Sequence, residues 1–234
     1  MKKLSISIYI IALIALSNLL SPSIANAQTN QKLTHEEWSK TPLFQGLSVG
    51  MDISGLVGNV LGSDIISSEG YLQVNLKNRY LPIVEIGYGS IDTTDDETGI
   101  YYKTSSPYFR IGADYNIFYN KPYLPGHFTV GVRYGFSAFK YDMKAPDLVD
   151  PNWGHTAIPF SYENINTHVN WAELVLGLNS KVYKNFHMGF SLRYRIRLNM
   201  KENENSEPYY IPGFGINSTN NFGLTYNLIY KLPF

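Results

Sequence analysis

The chain of 234 residues has no cysteine, which removes disulfides, thiolate nucleophiles and zinc–thiolate centres together. Its stability must come from hydrogen bonding and burial alone. Charge is scarce: Asp, Glu, Lys and Arg make up 16% of the sequence, against about 25% in soluble domains. Neither sign is in excess, since 19 Lys and Arg stand against 19 Asp and Glu. No global field therefore recruits nucleic acid or another polyanion. After residue 27, no apolar run approaches the roughly 20 residues that a spanning helix needs.

Aromatic residues are abundant at 15%, with 19 Tyr against 12 Phe and 3 Trp. Tyrosine has an apolar body and a polar tip, and it suits strands and interfaces. The first residues read as an export signal. Lys2 and Lys3 form a basic n-region, Leu4 to Leu20 an apolar h-region, and Ser21-Pro22 a break. Ala25-Asn26-Ala27 then supplies a small-x-small cleavage pattern before Gln28. Residues 1–27 are expected to be removed, residues 28–45 to form a polar lead-in, and residues 46–234 to fold as one unit. In the lead-in, Thr34 and Glu37 have capping-box spacing and Trp38 could dock a short helix. A solvated segment is the favoured reading there.

From Leu47 onward the hydrophobic period is two. Leu47, Val49, Met51 and Ile53 share one face against Ser48, Gly50 and Asp52. Leu72, Val74 and Leu76 likewise oppose Tyr71, Gln73 and Asn75, and Val84, Ile86 and Tyr88 oppose Glu85, Gly87 and Gly89. The pattern repeats at 108–117, 128–137, 171–179, 187–198 and 221–234, which makes eight strands. Residues 77–81, 119–126 and 184–185 read as short turns rich in Asn, Pro or Gly. Residues 58–69, 92–107, 142–168 and 199–215 read as longer polar loops. Short turns on one side and long loops on the other are the pattern of bacterial outer-membrane barrels.

Alternation by itself also fits a soluble sandwich, so the decisive question is which face is wet. The polar phase is crowded with glycine (Gly50, Gly87, Gly112, Gly131, Gly135) and has almost no Lys, unlike a solvated sheet face. Glycines make room for large side chains in the narrow interior of a small barrel. The apolar phase carries no charge, as lipid demands, since Arg or Lys at the midplane costs about 2–4 kcal/mol. The expected fold is therefore all-β, an eight-stranded antiparallel transmembrane β-barrel with short periplasmic turns and longer extracellular loops. Tyr226, Leu228, Tyr230, Leu232 and Phe234 stand at every second position. They are similar to the C-terminal assembly signal of outer-membrane barrel proteins, although Pro233 departs from that pattern because it cannot donate to a ladder.

Strand number and loop asymmetry resemble the OmpA and OmpX class of small barrels. The segments VEIGYG (84–89), YFRIGADYN (108–116), VGVRYGF (130–136) and MGFSLRY (188–194) look closer still to an uncharacterised family of outer-membrane barrels from Bacteroidota-type envelopes. The resemblance covers nearly the whole mature chain and implies architecture. It places no functional residues.

The inner phase holds Arg110, Arg133, Arg193, Arg195 and Arg197 together with Asp52, Glu85, Asp114 and Glu173. In a lumen this narrow they should pair into a structural salt-bridge network, with Glu173 facing one of the arginines on the next strand. A gated pore or an anionic-ligand site is the functional alternative. His155 and His168 lie near Asp150 and Glu163, but their spacing matches no metal motif. The acidic run 92–97 (DTTDDE) reads as a solvated loop tip rather than a Ca²⁺ site. Ser191 and His187 share a face without a signature joining a nucleophile, a base and an oxyanion hole. The expectation is a monomeric, non-enzymatic outer-membrane barrel with a structural or surface-interaction role. It needs no cofactor or metal, and its partners are outer-membrane lipid, lipopolysaccharide and the barrel assembly machinery. A narrow pore is the alternative, and a membrane-embedded lipid-modifying enzyme is third.

Overall fold

The computed structural model describes residues 32–60, 62–149, 157–201, 203 and 206–233. The expected signal peptide 1–27, His155, Asp150 and Phe234 lie outside the described residues. Strands run over β1 (Phe44–Asp52), β2 (Ile65–Leu76), β3 (Tyr80–Thr94), β4 (Tyr101–Asn116), β5 (Gly126–Val149), β6 (Ala157–Tyr183) and β7 (Phe186–Met200). A small hairpin follows, β8 (Tyr210–Ile211) and β9 (Gly215–Ile216), and then the last long strand, β10 (Asn220–Lys231). Two short helices are present, α1 (His35–Ser39) before β1 and α2 (Ser54–Val60) between β1 and β2. No helix among the described residues is long and apolar enough to cross a membrane, which says nothing about strands.

The eight long strands form one antiparallel sheet in the order β1-β10-β7-β6-β5-β4-β3-β2, and β2 pairs with β1 to close the ring. Each strand pairs with its sequence neighbours, as short connections favour. Closure leaves no sheet edge within the ring. Both ends of the described chain lie at the tight-turn end of the barrel, where Leu33 N donates to the Asn120 carbonyl and Lys231 N to the Asn185 carbonyl. One of these turns, the three residues between the paired Leu76 and Tyr80, places Lys77 and Asn78 at positive φ (52° and 55°), the left-handed conformation of tight hairpin turns.

The alternation of side chains follows the pleat. In β3, Leu81, Ile83, Glu85 and Ile91 are buried, while Val84, Ile86 and Tyr88 are about half exposed on the outside. Inner glycines accommodate aromatic neighbours: a Cβ on Gly87 would overlap the ring of Tyr108, and one on Gly50 would overlap the ring of Tyr71.

Four loop expectations are corrected. Residues 142–168 were expected as the longest loop, but β5 and β6 continue as a paired hairpin to Val149–Ala157. The β4–β5 register ends at Tyr101–Lys144 and the β6–β7 register at Val169–Met200. Residues 157–168 of β6 thus extend about 40 Å beyond the last β6–β7 pair, at about 3.4 Å per residue. Proline and polar residues disguise this extension. Pro146 falls at the irregularity between Ala145 and Leu148, and Pro159 lies where β6 has a strand on one side only, both settings that tolerate proline. Residues 58–69 and 92–107 are likewise shorter as loops than their polarity suggests, because β2 begins at Ile65 and β3 and β4 extend to Thr94 and from Tyr101. Residues 199–215 were expected as an external loop, yet Ile211 and Phe214 are fully buried.

From residue 32 the lead-in is largely exposed, as expected of a solvated segment, and it also carries the short helix α1. The capping box is formed, with Thr34 N donating to Glu37 Oε2 at 2.8 Å and Glu37 N donating to Thr34 Oγ1 at 3.4 Å. Trp38 Nε1 donates to the Lys77 carbonyl at 3.1 Å. The Arg79 guanidinium lies 5.2 Å from the Trp38 ring and 4.7 Å from the Tyr119 ring, and these cation–π contacts fasten α1 to the tight turns.

Candidate functional site: the filled lumen

The inner faces of β2 to β7 bring four carboxylates and four guanidinium groups into one layer across the barrel: Glu69, Glu85, Asp114 and Glu173 with Arg110, Arg133, Arg193 and Arg195. The charges balance within this layer. Register creates the first contacts, since Glu85 stands opposite Arg110 on β4, and Glu173 stands between Arg133 on β5 and Arg195 on β7.

Glu85 is the hub. It receives Arg193 Nη1 at 2.8 Å, Arg133 Nε at 3.1 Å and Arg110 Nη1 at 3.2 Å. Arg193 also reaches Glu69 at 3.0 Å, and Arg110 pairs closely with Glu69 as well. Asp114 faces both ends of the Arg133 fork at 2.8 Å, with Oδ2 accepting from Nη2, and Oδ2 also accepts from Gln73 Nε2 at 2.8 Å. Glu173 accepts Trp171 Nε1 at 2.6 Å and faces Arg110 Nε at 2.7 Å, with Arg193 and Arg195 each at 3.5 Å. Each charge of this layer has an opposite charge within 3.5 Å, which offsets the cost of taking it from water, although Arg193 Nε and Arg195 Nε make no hydrogen bond.

The remaining residues of the expected network lie apart from this layer. Asp52 caps backbone: its Oδ1 accepts Ser54 N at 2.8 Å, at the start of α2, and Tyr226 N at 3.3 Å. Arg197 bonds the side-chain oxygen of Asn217, which follows β9 in the loop (residues 206–219) inserted into the lumen, and meets no carboxylate among the described residues. Glu69 is the member that the loop boundary concealed. Its phase matches Tyr71 and Gln73, so extending the period-two pattern by one step would have placed it in the lumen.

Above the ionic layer, toward the long hairpins, the lumen is apolar. Tyr102, Phe139, Tyr141, Val169 and Trp171 from the wall surround Ile211 and Phe214 from the inserted loop. The Phe214 ring meets Trp171 edge-on at 6.0 Å, and the Tyr102 hydroxyl donates to the Tyr210 carbonyl at 2.9 Å. Two arginines of the ionic layer hold the loop from below: Arg110 Nη2 donates to Gly213 O at 2.6 Å, and Arg195 Nη1 to Phe214 O at 2.9 Å. Below the layer a cavity of about 50 Å³ remains, bordered by Asp114, His127, Thr129, Asn179 and Asn227. The volume and its polar border suit ordered water.

The other candidate groups are separately engaged. The Ser191 hydroxyl is bonded by Thr225 and Asn227, each at 3.1 Å, while His187 Nδ1 lies 3.2 Å from Asn179 Oδ1. In the acidic run, Asp92 pairs with Lys103 at 2.7 Å and Asp95 accepts Thr98 N at 2.7 Å. Those hydrogen bonds hold the Asp95 carboxyl below its usual range. Glu163 pairs with Lys144 at 2.9 Å, and no group of three or more metal-ligating side chains occurs among the described residues. Of the C-terminal alternation, Tyr226 and Tyr230 contact Phe190 and Phe186 on β7, at ring separations of 4.7 and 5.0 Å.

These features define a class: an all-β protein whose antiparallel sheet closes on itself around an ionic layer and an inserted loop. A family model, a domain of unknown function (DUF6048), matches residues 4–234, and the chain belongs to that family. No curated protein and no solved structure matches it.

Proposed function

We propose that this protein is an exported outer-membrane barrel, closed to solutes, with a structural or surface-interaction role. The observation that carries the reading is the outer wall. Val84, Ile86, Phe109, Ile111, Val132, Leu174, Leu192 and Leu224 all stand 45–67% exposed around the ring, a surface that water would penalise and hydrocarbon accepts. On β3 the uncharged outer run from Tyr80 to Ser90 covers roughly 25 Å for a strand tilted by about 40°, close to the thickness of the lipid-facing band. At the tight-turn end, Tyr80 packs against Tyr115 at 5.8 Å and Tyr115 against Tyr119 at 6.1 Å, in the manner of an interfacial aromatic girdle.

The filled lumen favours a closed barrel over the pore alternative, because the ionic layer joins the inner faces of β2 to β7 and Ile211 and Phe214 are buried above it. Ser191 and His187 have separate partners, which favours a non-enzymatic role. Cell fractionation, heat-modifiability gels and planar-bilayer conductance test the reading together. The expected result is an outer-membrane band with a heat-dependent shift and no conductance above background. A soluble periplasmic protein, or steady channel currents, would replace it.

A further inference from the structure

On the outer wall, just beyond the apolar band at the long-hairpin end, lies a groove of about 500 Å³. It forms where the β4–β5 ladder is interrupted: the register steps from Thr104–Tyr141 directly to Tyr108–Ser137. Pro107 supplies no N–H there, and the Thr104 and Ser106 hydroxyls donate instead to the carbonyls of Lys140 and Ala138, at 2.7 and 2.9 Å. The outward side chains that border the groove are Ser105, Ala138, Lys140, Asn166, His168 and Lys201. Every polar member of this set can donate a hydrogen bond, and none is a carboxylate. Ala138, on the central strand, is small and leaves the floor open.

The two lysines differ from their neighbours. Higher on the same wall, Lys103 is neutralised by Asp92 at 2.7 Å and Lys144 by Glu163 at 2.9 Å. Lys140 and Lys201 have no carboxylate within ion-pairing distance among the described residues. Asp142, two positions beyond Lys140 on β5, has its Oδ1 bonded to Asn164 N at 2.7 Å. Lys201 is held beside β6, since its N–H donates to the His168 carbonyl at 3.0 Å and its own carbonyl accepts Thr167 Oγ1 at 2.8 Å. Register sets His168 beside Ala138 and Lys140 beside Asn166, so the two lysines and His168 border one spot. Directly below, toward the apolar band, come Phe136, Phe109, Tyr134 and Leu174, each 40–49% exposed.

A polar groove with two unpaired lysines and no carboxylate on its described border, above a broad apolar wall, is complementary to one kind of ligand. We propose that Lys140, Lys201, His168, Ser105 and Asn166 form a site for a phosphate-bearing lipid. The phosphate sits between the two ammonium groups, and the acyl chains lie along Phe136, Tyr134 and Leu174. The ammonium charges match a phosphate as point charges, and the tails gain the burial that the wall requires. The inference rests on the membrane reading above and adds to it a specific headgroup chemistry.

The test uses the folded full chain in neutral detergent, with native mass spectrometry as the readout. The probes are dimyristoyl phosphatidic acid, dimyristoyl phosphatidylcholine and inorganic phosphate. One phosphatidic acid should be retained on the wild type, and retention should fall at least ten-fold in the Lys140→Ala/Lys201→Ala double variant. It should be unchanged in Lys103→Ala, whose lysine is already paired. Equal retention of phosphatidylcholine, or no loss in the double variant, overturns the site. Tight binding of inorganic phosphate alone makes it an anion site and overturns the lipid assignment. A dimer that the double variant abolishes would instead make the groove a contact between copies. Liposome insertion of the wild type is measured separately. Failure to insert removes the membrane reading itself, whereas insertion without charge-dependent lipid retention removes only this proposal.

Discussion

The Arg110 guanidinium donates to the carbonyl oxygen of Gly213 at 2.6 Å, which joins the middle of a wall strand to the tip of a loop that has folded into the lumen. The same side chain pairs with Glu69, Glu85 and Glu173. Ionic layer and inserted loop are therefore one assembly, and a change in either is felt by the other.

Arg110→Met follows from that link. Stranding buried carboxylates costs about 3–5 kcal/mol, and the loop loses an anchor. The variant should unfold at a lower urea concentration and become sensitive to protease around residues 209–216. Unchanged stability and an uncut loop would show that Arg195 and the aromatic contacts hold the loop unaided.

Glu173→Gln keeps the oxygen that accepts from Trp171 but removes the charge facing Arg110, Arg193 and Arg195. A loss of about 3–5 kcal/mol is expected, read as a lower heat-modification temperature. Bilayer recordings of the variant should remain silent. A stable variant that conducts ions would make the lumen a wet channel.

Gly87 and Tyr108 face one another on β3 and β4, with no space for a methyl group between them. Gly87→Ala should cost about 1–3 kcal/mol through overpacking. The penalty should shrink when Tyr108→Leu removes the obstructing ring. Equal penalties in both backgrounds, measured as a double-mutant cycle, would place the strain elsewhere.

Leu174 is 48% exposed in the middle of the outer apolar wall. Leu174→Arg should impair bilayer insertion by about 2–4 kcal/mol, while Leu174→Ile inserts normally. If the arginine variant assembles as well as wild type in heat-modifiability gels, that face does not meet lipid.

The Glu37 carboxyl is held below its usual range, chiefly by the hydrogen bond from the Thr34 backbone N–H. A depressed folded value means that the capping box stabilises α1 fully above the ordinary carboxylate range and loses that contribution as pH falls through the folded value. Titration of the Thr34 amide by NMR in micelles should follow this course. Glu37→Gln should flatten the titration, and a flat wild-type profile would deny the box any role.

Much of this architecture is written in local alternation. Val84, Ile86 and Tyr88 against Glu85, Gly87 and Gly89 determine which side of β3 is inner, because successive side chains on a pleated strand point to opposite faces whatever the strand pairs with. The same argument places Arg110, Arg133, Glu173 and Arg193 inside without reference to a partner. Where hydrophobic alternation fades, the reading fades too: Glu69 sits two residues before Tyr71 in a polar stretch, and the β5–β6 extension hides its ladder among Pro146, Pro159 and asparagines. Partner choice is of another kind. That Glu85 meets three arginines, that Arg197 bonds Asn217 instead of a carboxylate, and that Ile211 and Phe214 turn inward depend on register and on a loop returning across the barrel. Those are relations between residues distant in the chain, and no period in the sequence encodes them. Only the closed sheet, by fixing every strand's height relative to its neighbours and leaving an apolar lumen to be filled, decides them.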